Sequence, residues 1–139
     1  MRCMLDTNVL VSAALFPQSV SAAAYMRAVL PPFHSVVCSY VLEELRCVFL
    51  AKFPHRMEAY ARFVEAMALS VEVVSTPPEE ARTESEGQLW DVKDRPILRA
   101  ALAANVEVLL TGDKGFLEAR IERPLILSAA AFLKCSPVP

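Results

Sequence analysis

Apolar runs and segments of helical periodicity alternate along this chain of 139 residues. Five short runs are rich in β-branched or apolar residues and bordered by polar residues or proline, a pattern typical of strands buried between helices. They are Arg2–Leu5, 35–39, 71–75, 107–111 and Leu125–Leu127. Five longer segments carry apolar residues at intervals of three and four positions, which predicts helices. They are 21–30, 40–52, 57–69, 95–105 and 128–134.

The alternation of strands and helices predicts the fold class. It is typical of a three-layer α/β/α domain with a mainly parallel sheet of about five strands. The pairs Pro31-Pro32 and Pro77-Pro78 mark points where a helix cannot continue. No repeat, low-complexity tract or linker divides the chain, so we expect a single domain over residues 1–139. Segment 77–87, with four glutamates, is predicted to be a mobile loop.

Composition and charge narrow the range of functions. Hydrophobic residues make up 55% of the chain, enough for one globular core, while the formal net charge is -2 and the pI is near 5.7. The protein as a whole therefore does not attract polyanions, and a nucleic-acid partner would need a local basic surface or a bound metal. The four cysteines form no CxxC pair and three lie in apolar runs, which favours reduced thiols in a core. Without a leader-like start or a run of transmembrane length, we expect a cytoplasmic protein with no membrane partner.

The aspartates carry the strongest chemical information. Aspartate occurs only at Asp6, Asp91, Asp94 and Asp113. Asp6 follows the first predicted strand, Asp113 follows the strand in VEVLLTG, and Asp94 begins the helix DRPILRAALAA. Because ligands of parallel sheets bind outside the carboxyl ends of the strands, where the strand order reverses, we expect these three carboxylates to gather at one place.

The helix after the second strand adds a glutamate. At 100° per residue, its apolar residues cluster on one face, with Glu44 at the border of that face and Glu43 nearly opposite. Crowded carboxylates repel one another unless a cation neutralises them, which predicts a Mg²⁺ or Mn²⁺ site. With no histidine or cysteine in the set, zinc is a poor match.

Three segments, MLDTNVLVSA, SYVLEEL and DVKDRPILRAALAANVEVLLTGDKGFL, together resemble the PIN domain, in particular the bacterial branch that includes VapC-type toxins of toxin–antitoxin systems. The resemblance covers nearly the whole chain and rests on the order and spacing of its polar residues. It implies an acidic site with Asn8 and Thr111 as supporting groups. The carboxylates of that site are Asp6, Glu44, Asp94 and Asp113.

The resemblance also implies an activity and partners. It implies an endoribonuclease dependent on Mg²⁺ or Mn²⁺, with Asp6 as central ligand and Asp113 as a weaker ligand or an orienter of water. A small antitoxin protein and a homodimer are the implied partners. The chain departs from the family where a further acidic residue often follows the TGD segment, because Gly115 and Phe116 occupy those positions.

RNA would need cations and aromatic rings near the acidic site. By position, the candidate cations are Lys114, Arg95, Arg99 and Arg46. Phe16 and Phe116 lie near the predicted site loops and are candidates for base stacking, although core packing is the favoured interpretation for both.

Simpler interpretations exist for each acidic residue alone. Asp6 and Asp94 are each suited to cap a helix, Asp113 to make a turn, Glu44 to face solvent, and Asp91 to hydrogen-bond within a loop. The joint pattern favours the acidic site over these separate interpretations.

Two other classes of protein share part of this pattern. A receiver-like or HAD-type phosphoryl-transfer domain also places Asp after a first parallel strand, but the HAD type requires a second Asp two residues later, where this chain has Asn8. A non-catalytic PIN-like interaction domain is the other alternative, and the intact carboxylate set argues against it.

Overall fold

The computed structural model describes residues 1–135 and contains one five-stranded sheet in which every strand pairing is parallel. The strands are β1 Arg2–Leu5, β2 His34–Cys38, β3 Glu72–Val74, β4 Val108–Leu110 and β5 Leu125–Leu127. Their order in the sheet is β3-β2-β1-β4-β5. This sheet, flanked by helices, confirms the predicted three-layer α/β/α class.

Seven α-helices connect and flank the strands in residues 1–135. Helix α1, for which the periodicity gave no bounds, and the five-residue α6 were not among the five predicted segments. No single helix in the described part of the chain is long and apolar enough to cross a membrane, although α1 and α2, bent by 110° at their junction, pass that test as a pair. The helices are α1 Thr7–Leu15, α2 Val20–Ala28, α3 Ser39–Lys52, α4 Met57–Ala68, α5 Arg95–Ala103, α6 Lys114–Glu118 and α7 Ala129–Lys134.

The core lies on both faces of the central strand. Residues Cys3, Met4 and Leu5 of β1 are completely buried, as expected for a strand covered by helices on both sides. Cys38 is buried as well, but Cys47 is exposed on α3, so the prediction of a core position is wrong for this residue. The buried face of α3 runs through positions 41, 45 and 49, so position 47 lies on the opposite side of the helix.

The apolar face of α4 is used inside the molecule. The Phe63 ring lies 5.0 Å from that of Tyr25, and the Tyr60 ring lies 5.3 Å from that of Phe49, measured between centroids. Phe49 is fully buried and belongs to α3. These contacts stabilise the packing of α4 against the rest of the domain.

Segment 77–87 has more structure than its sequence predicts. It contains the 3-10 helix Glu79–Ala81 and most of a second, Glu84–Gln88. The second helix starts with a reciprocal cap, in which Glu86 accepts a hydrogen bond from the Thr83 amide at 2.6 Å. Glu86 is buried and also pairs with Arg99 at 2.6 Å. Where the sequence predicts a mobile loop, the structure thus has two 3-10 helices and a buried ion pair that ties the segment to α5.

The strand order reverses at β1, which places the ends of β1 and β4 side by side. The chain runs from β1 outward through β2 to β3, then returns to the other side of β1 with β4 and β5. Leu5 is in register with Leu110, and the Asp6 amide donates to the Leu110 carbonyl at 3.0 Å. A crevice at this point is where open parallel sheets bind ligands.

Candidate functional site

A cleft of about 370 Å³ opens at the reversal point, between α1 and α3. This volume falls within the range of small ligand sites. Acidic side chains form one end of the cleft, and apolar, basic and aromatic side chains extend it along the two helices. Its lining residues are Asp6, Thr7, Asn8, Val11, Ser12, Glu44, Val48, Lys52, Phe53, Asp94 and Asp113.

Asp6 is the most enclosed of the four carboxylates, with 3% of its surface exposed. Its Oδ1 accepts from the Thr7 amide at 2.7 Å and caps α1, and its Oδ2 accepts from Thr111 Oγ1 at 2.6 Å. Burial raises the pKa of Asp6 to about 6, against the opposing effect of these two hydrogen bonds. Capping and a role in the acidic cluster thus coexist in one side chain.

The loop after β4 is held against Asp6 by two polar residues. Thr111 is completely buried, and its Oγ1 also accepts from the Asp113 amide at 3.0 Å, so one hydroxyl links Asp6 to the Asp113 backbone. Asn8 Oδ1 accepts from the Gly112 amide at 2.9 Å. The structure thus places Asn8 and Thr111 beside the cluster, where they hold the two strand ends together.

Asp94 does not cap the helix that it precedes. Its backbone is helical, with φ -82° and ψ -19°, and its side chain accepts no hydrogen bond from the first turn of α5. The Oδ2 atom is buried and has no hydrogen-bond partner among residues 1–135. Burial first, and the neighbouring Asp113 carboxyl second, raise the pKa of Asp94 to about 8. Capping therefore does not account for this buried carboxylate.

Asp113 caps α6 and lies next to Asp94. Its Oδ2 accepts from the Phe116 amide at 3.2 Å. A Cβ atom built on Gly115 would be 2.9 Å from Asp113 Oδ2 and 3.5 Å from Asp94 Oδ2, so both carboxylates face the same small space. Glycine at 115 leaves that space open, and a larger acidic residue at this position would collide with Asp113.

Glu44 reaches the cleft from α3 and accepts a hydrogen bond from Thr7 Oγ1. Glu43 lies on the exposed side of the same helix, where it pairs with Arg46 at 3.4 Å. The structure thus separates the two adjacent glutamates as their angular positions indicate. Thr7 itself was not singled out from the sequence, although it lies inside the DTN segment.

The donor set of the cleft fits a hard divalent cation by its chemistry. The four acidic residues offer carboxylate oxygens, without imidazole or thiolate, and Asp94 Oδ2 lacks the partner that a cation would provide. Within residues 1–135, however, no three Asp, Glu, His or Cys side chains are grouped closely enough to hold a metal ion. In this arrangement a cation would have at most two of these side chains as direct ligands, with water completing its coordination.

The positions of the candidate RNA-binding residues differ from the expectation. Arg99 is buried and paired with Glu86, so its assignment to an RNA surface is wrong. Arg95 donates two hydrogen bonds to the Leu89 carbonyl, from Nε at 3.2 Å and from Nη2 at 3.0 Å. Phe116 is fully buried, which confirms the favoured interpretation of core packing, whereas Phe16 is 57% exposed, so that interpretation is wrong for Phe16. The remaining two candidates, Arg46 and Lys114, are exposed and are not among the residues that line the cleft.

The cleft instead contains residues that the sequence reasoning missed. Lys52 and Phe53 line its outer part, at the end of α3. Lys52 follows Glu44 by eight positions, or about two helical turns, a spacing that keeps both residues within one broad stripe of the helix. Helical spacing from Glu44 was therefore the signal that could have found it.

The fold and the acidic crevice define a parallel α/β domain with a carboxylate site at its topological switch point. The sequence model of the PIN domain family matches residues 2–115, so the chain belongs to this family. Proteins of this family are in general nucleases. No functionally curated protein matches the chain.

Two solved structures show the same fold. The chain is similar to one in the crystal structure of VapBC2 from Rickettsia felis bound to a DNA fragment from their promoter. The two chains are 21% identical in sequence and superpose with a TM-score of 0.70, over 92% of this chain and 98% of that chain. It is also similar to a domain of a functionally unknown protein from Methanocaldococcus jannaschii, with 18% identity, a TM-score of 0.56 and coverage of 91% and 89%.

Asp94→Asn is expected to stabilise the metal-free protein at alkaline pH. The folded-state pKa of Asp94, about 8, lies above its ordinary value of 3.8, so its contribution to stability is present below about pH 4 and is lost as pH rises through 8. Asparagine removes this loss. In EDTA at about pH 9, the free energy of unfolding should therefore be higher for Asp94→Asn than for wild type.

Urea unfolding in EDTA across the pH range measures this effect. The variant and the wild type should be equally stable at acid pH and diverge as pH increases. Asp91→Asn is the matched control, because Asp91 is exposed and its Oδ1 only accepts from the Lys93 amide. A constant difference between Asp94→Asn and wild type at every pH would contradict the raised pKa.

Proposed function

We propose that this protein is a VapC-type endoribonuclease that depends on Mg²⁺ or Mn²⁺ and hydrolyses phosphodiester bonds of RNA. The observation that carries the proposal is the convergence of four carboxylates on one cleft at the sheet's reversal point, in a chain of the PIN domain family. The four are Asp6, Glu44, Asp94 and Asp113.

The proposed roles follow from the contacts of each side chain. Asp6 and Asp94 hold the cation, because Asp6 is fixed by Thr111 and Asp94 Oδ2 has no hydrogen-bond partner within residues 1–135. Glu44 joins them directly or through water. Asp113 orients the attacking water or acts as a weaker ligand. When bound, Mg²⁺ or Mn²⁺ supplies Lewis acidity and a water of lowered pKa at the scissile phosphate.

The chain's own residues prepare this site before RNA arrives. Thr111 and Asn8 hold the loop after β4 against the start of α1, which keeps Asp6 and Asp113 at a constant separation. The raised pKa values of Asp6 and Asp94 reflect charges that burial leaves uncompensated, and a cation compensates them.

The proposed partners are an RNA substrate, a small antitoxin and a second copy of the chain. Support for the antitoxin comes from the similar fold of a chain in the VapBC2 structure, whose components are bound there to promoter DNA. The homodimer rests on the family resemblance alone. We expect the antitoxin to cover the acidic cleft and thereby inhibit cleavage.

A second candidate is a non-catalytic PIN-like interaction domain. It is favoured by the finding that no three potential ligands in residues 1–135 are grouped as a metal site. Isothermal titration with Mn²⁺ distinguishes the two candidates, because a nuclease of this design binds the ion at its carboxylates and a non-catalytic domain has no need of it.

Incubation of purified protein with a mixed pool of single-stranded RNA tests the proposed activity. Cleavage is expected with Mg²⁺ or Mn²⁺ and not with EDTA. Cleavage that persists in EDTA would contradict the dependence on metal. Absence of both Mn²⁺ binding and RNA cleavage in the folded protein would instead favour the non-catalytic candidate.

Gly115→Ala is expected to reduce cleavage about ten- to a hundredfold without unfolding the protein. The new methyl group would lie 2.9 Å from Asp113 Oδ2, which the Phe116 amide holds in place, so the carboxylate must move. Alanine suits the helical position itself. Gly87→Ala is the matched control, because nothing lies within 4 Å of its added Cβ. Initial cleavage rates and thermal unfolding measure the two effects, and equal rates for both variants would contradict the prediction.

A further inference from the structure

The cleft extends beyond the carboxylates as a groove between two helices. On α1, Asn8, Val11 and Ser12 line it at spacings of three and four residues. On α3, Glu44, Val48 and Lys52 line it at successive intervals of four. At 1.5 Å of rise per residue, Lys52 lies about 12 Å along the helix axis from Glu44. The groove therefore has an acidic end and a basic end.

Lys52 is the sole basic residue among those that line the groove in the described part of the chain. It is exposed and forms no ion pair within residues 1–135. A lysine in the last turn of a helix also interacts favourably with the helix dipole. That interaction accounts for a lysine near the end of α3, but it does not require the side chain to line an acidic cleft.

Phe53 provides an aromatic surface beside Lys52. It lines the same groove and is half-buried at the end of α3. Its ring centroid lies 5.8 Å from that of Phe49, which is fully buried. The ring is thus supported by the core while part of it remains accessible. Exposed aromatic rings next to cations are typical of surfaces that bind single-stranded nucleic acids.

We propose that Lys52 and Phe53 form a subsite for single-stranded RNA, in which Lys52 pairs with a backbone phosphate away from the bond that is cut and Phe53 stacks on a base. The proposal rests on the proposed nuclease function and names how that site holds its substrate. The charge distribution favours such a subsite. With a net charge of -2 and an acidic reaction site, the protein can hold a polyanion only through a bound metal or a local cation, and among residues 1–135 Lys52 is the basic residue that lines the groove.

Binding of a fluorescein-labelled single-stranded RNA of mixed sequence tests the subsite. The measurement uses protein that carries Asp6→Asn, so that RNA is not cut, and reads fluorescence anisotropy across a series of salt concentrations with Mg²⁺ present. Lys52→Met keeps the alkyl stem and removes the charge. We expect it to raise the Kd about fivefold and to reduce the slope of log K against log salt by about 0.7, the value for one phosphate contact on a single strand.

Two further variants separate charge from stacking. Lys134→Met is the matched control, because Lys134 is also exposed in the last turn of its helix and lies outside the groove; its Kd and slope should equal those of the parent. Phe53→Leu retains an apolar side chain and should raise the Kd at least about fivefold with an unchanged salt slope. Circular dichroism checks that each variant is folded.

The outcomes distinguish the subsite from the nuclease function. In the otherwise wild-type protein, Lys52→Met should raise the KM for RNA cleavage and leave kcat nearly unchanged, since the phosphate it contacts is remote from the reacting atoms. Metal-dependent cleavage by wild type, with the same KM and salt slope in Lys52→Met, would overturn the subsite and leave the nuclease standing. Failure of the wild type both to bind and to cleave RNA would overturn both.

Discussion

Replacing Asp6 with asparagine is expected to lower metal-dependent RNA cleavage by at least about a hundredfold in a protein that remains folded. Asparagine keeps an oxygen for the Thr7 amide, so the cap of α1 survives, and Asn is as good a capping residue as Asp. The variant loses the negative charge proposed to hold the cation. It also removes a buried carboxylate whose pKa is raised to about 6, which offsets the loss of Oδ2 as the acceptor for the Thr111 hydroxyl, so the metal-free protein should remain folded at neutral pH.

Three measurements on Asp6→Asn, wild type and Asp91→Asn decide this prediction. Initial cleavage rates in Mg²⁺ should fall only for Asp6→Asn, because Asp91 is exposed and is not among the residues that line the cleft. Mg²⁺ should raise the Tm of wild type and of Asp91→Asn, but not of Asp6→Asn. Circular dichroism establishes that all three are folded. Cleavage by folded Asp6→Asn at the rate of wild type would remove Asp6 from the active site.

The placement of Asp6 and Asp113 was predictable because strand ends carry strong local signals. Each residue follows an apolar run that pairs in the sheet, and the parallel arrangement brings the two strand ends to one edge. Glu44 was predictable from angular position on α3. For Asp6 and Asp113 a short apolar run, combined with the fold class, determines where the side chain lies, and for Glu44 the helical period of 3.6 residues does so.

Other features depend on contacts between residues distant in sequence. The five residues of α6 span little more than one helical turn, too short for a periodic pattern. The sequence around Asp94 suits an N-cap. In the structure, however, Asp94 has helical backbone angles, and its side chain does not cap the first turn of α5. Arg99 is the clearest case. An arginine within an apolar helix is compatible with either an exposed position or a buried one, and its partner Glu86 decides between them.

The Glu86–Arg99 pair joins the segment before α5 to the helix that follows Asp94. Its side chains are only 5% and 8% exposed, and two N···O contacts connect them, at 2.6 and 3.2 Å. Arg99 Nη1 also donates to the Pro77 carbonyl at 3.2 Å. Burial acts to raise the pKa of Glu86, yet the hydrogen bonds from Arg99 and Thr83 hold that pKa below its usual value. The pair thus stabilises the ionised carboxylate in an interior position.

Arg99→Met is expected to destabilise the protein by about 3–5 kcal/mol, because it leaves the Glu86 carboxylate buried without its cation. Adding Glu86→Gln to this variant removes the unpaired charge and should recover part of the loss. Arg62→Met breaks an exposed pair with Glu58, with side chains 78% and 79% exposed, and should cost under about 1 kcal/mol. Urea unfolding at neutral pH measures all three. Equal effects of Arg99→Met and Arg62→Met would show that the buried pair contributes no more than a surface pair, and that α5 and Asp94 are positioned by the apolar core alone.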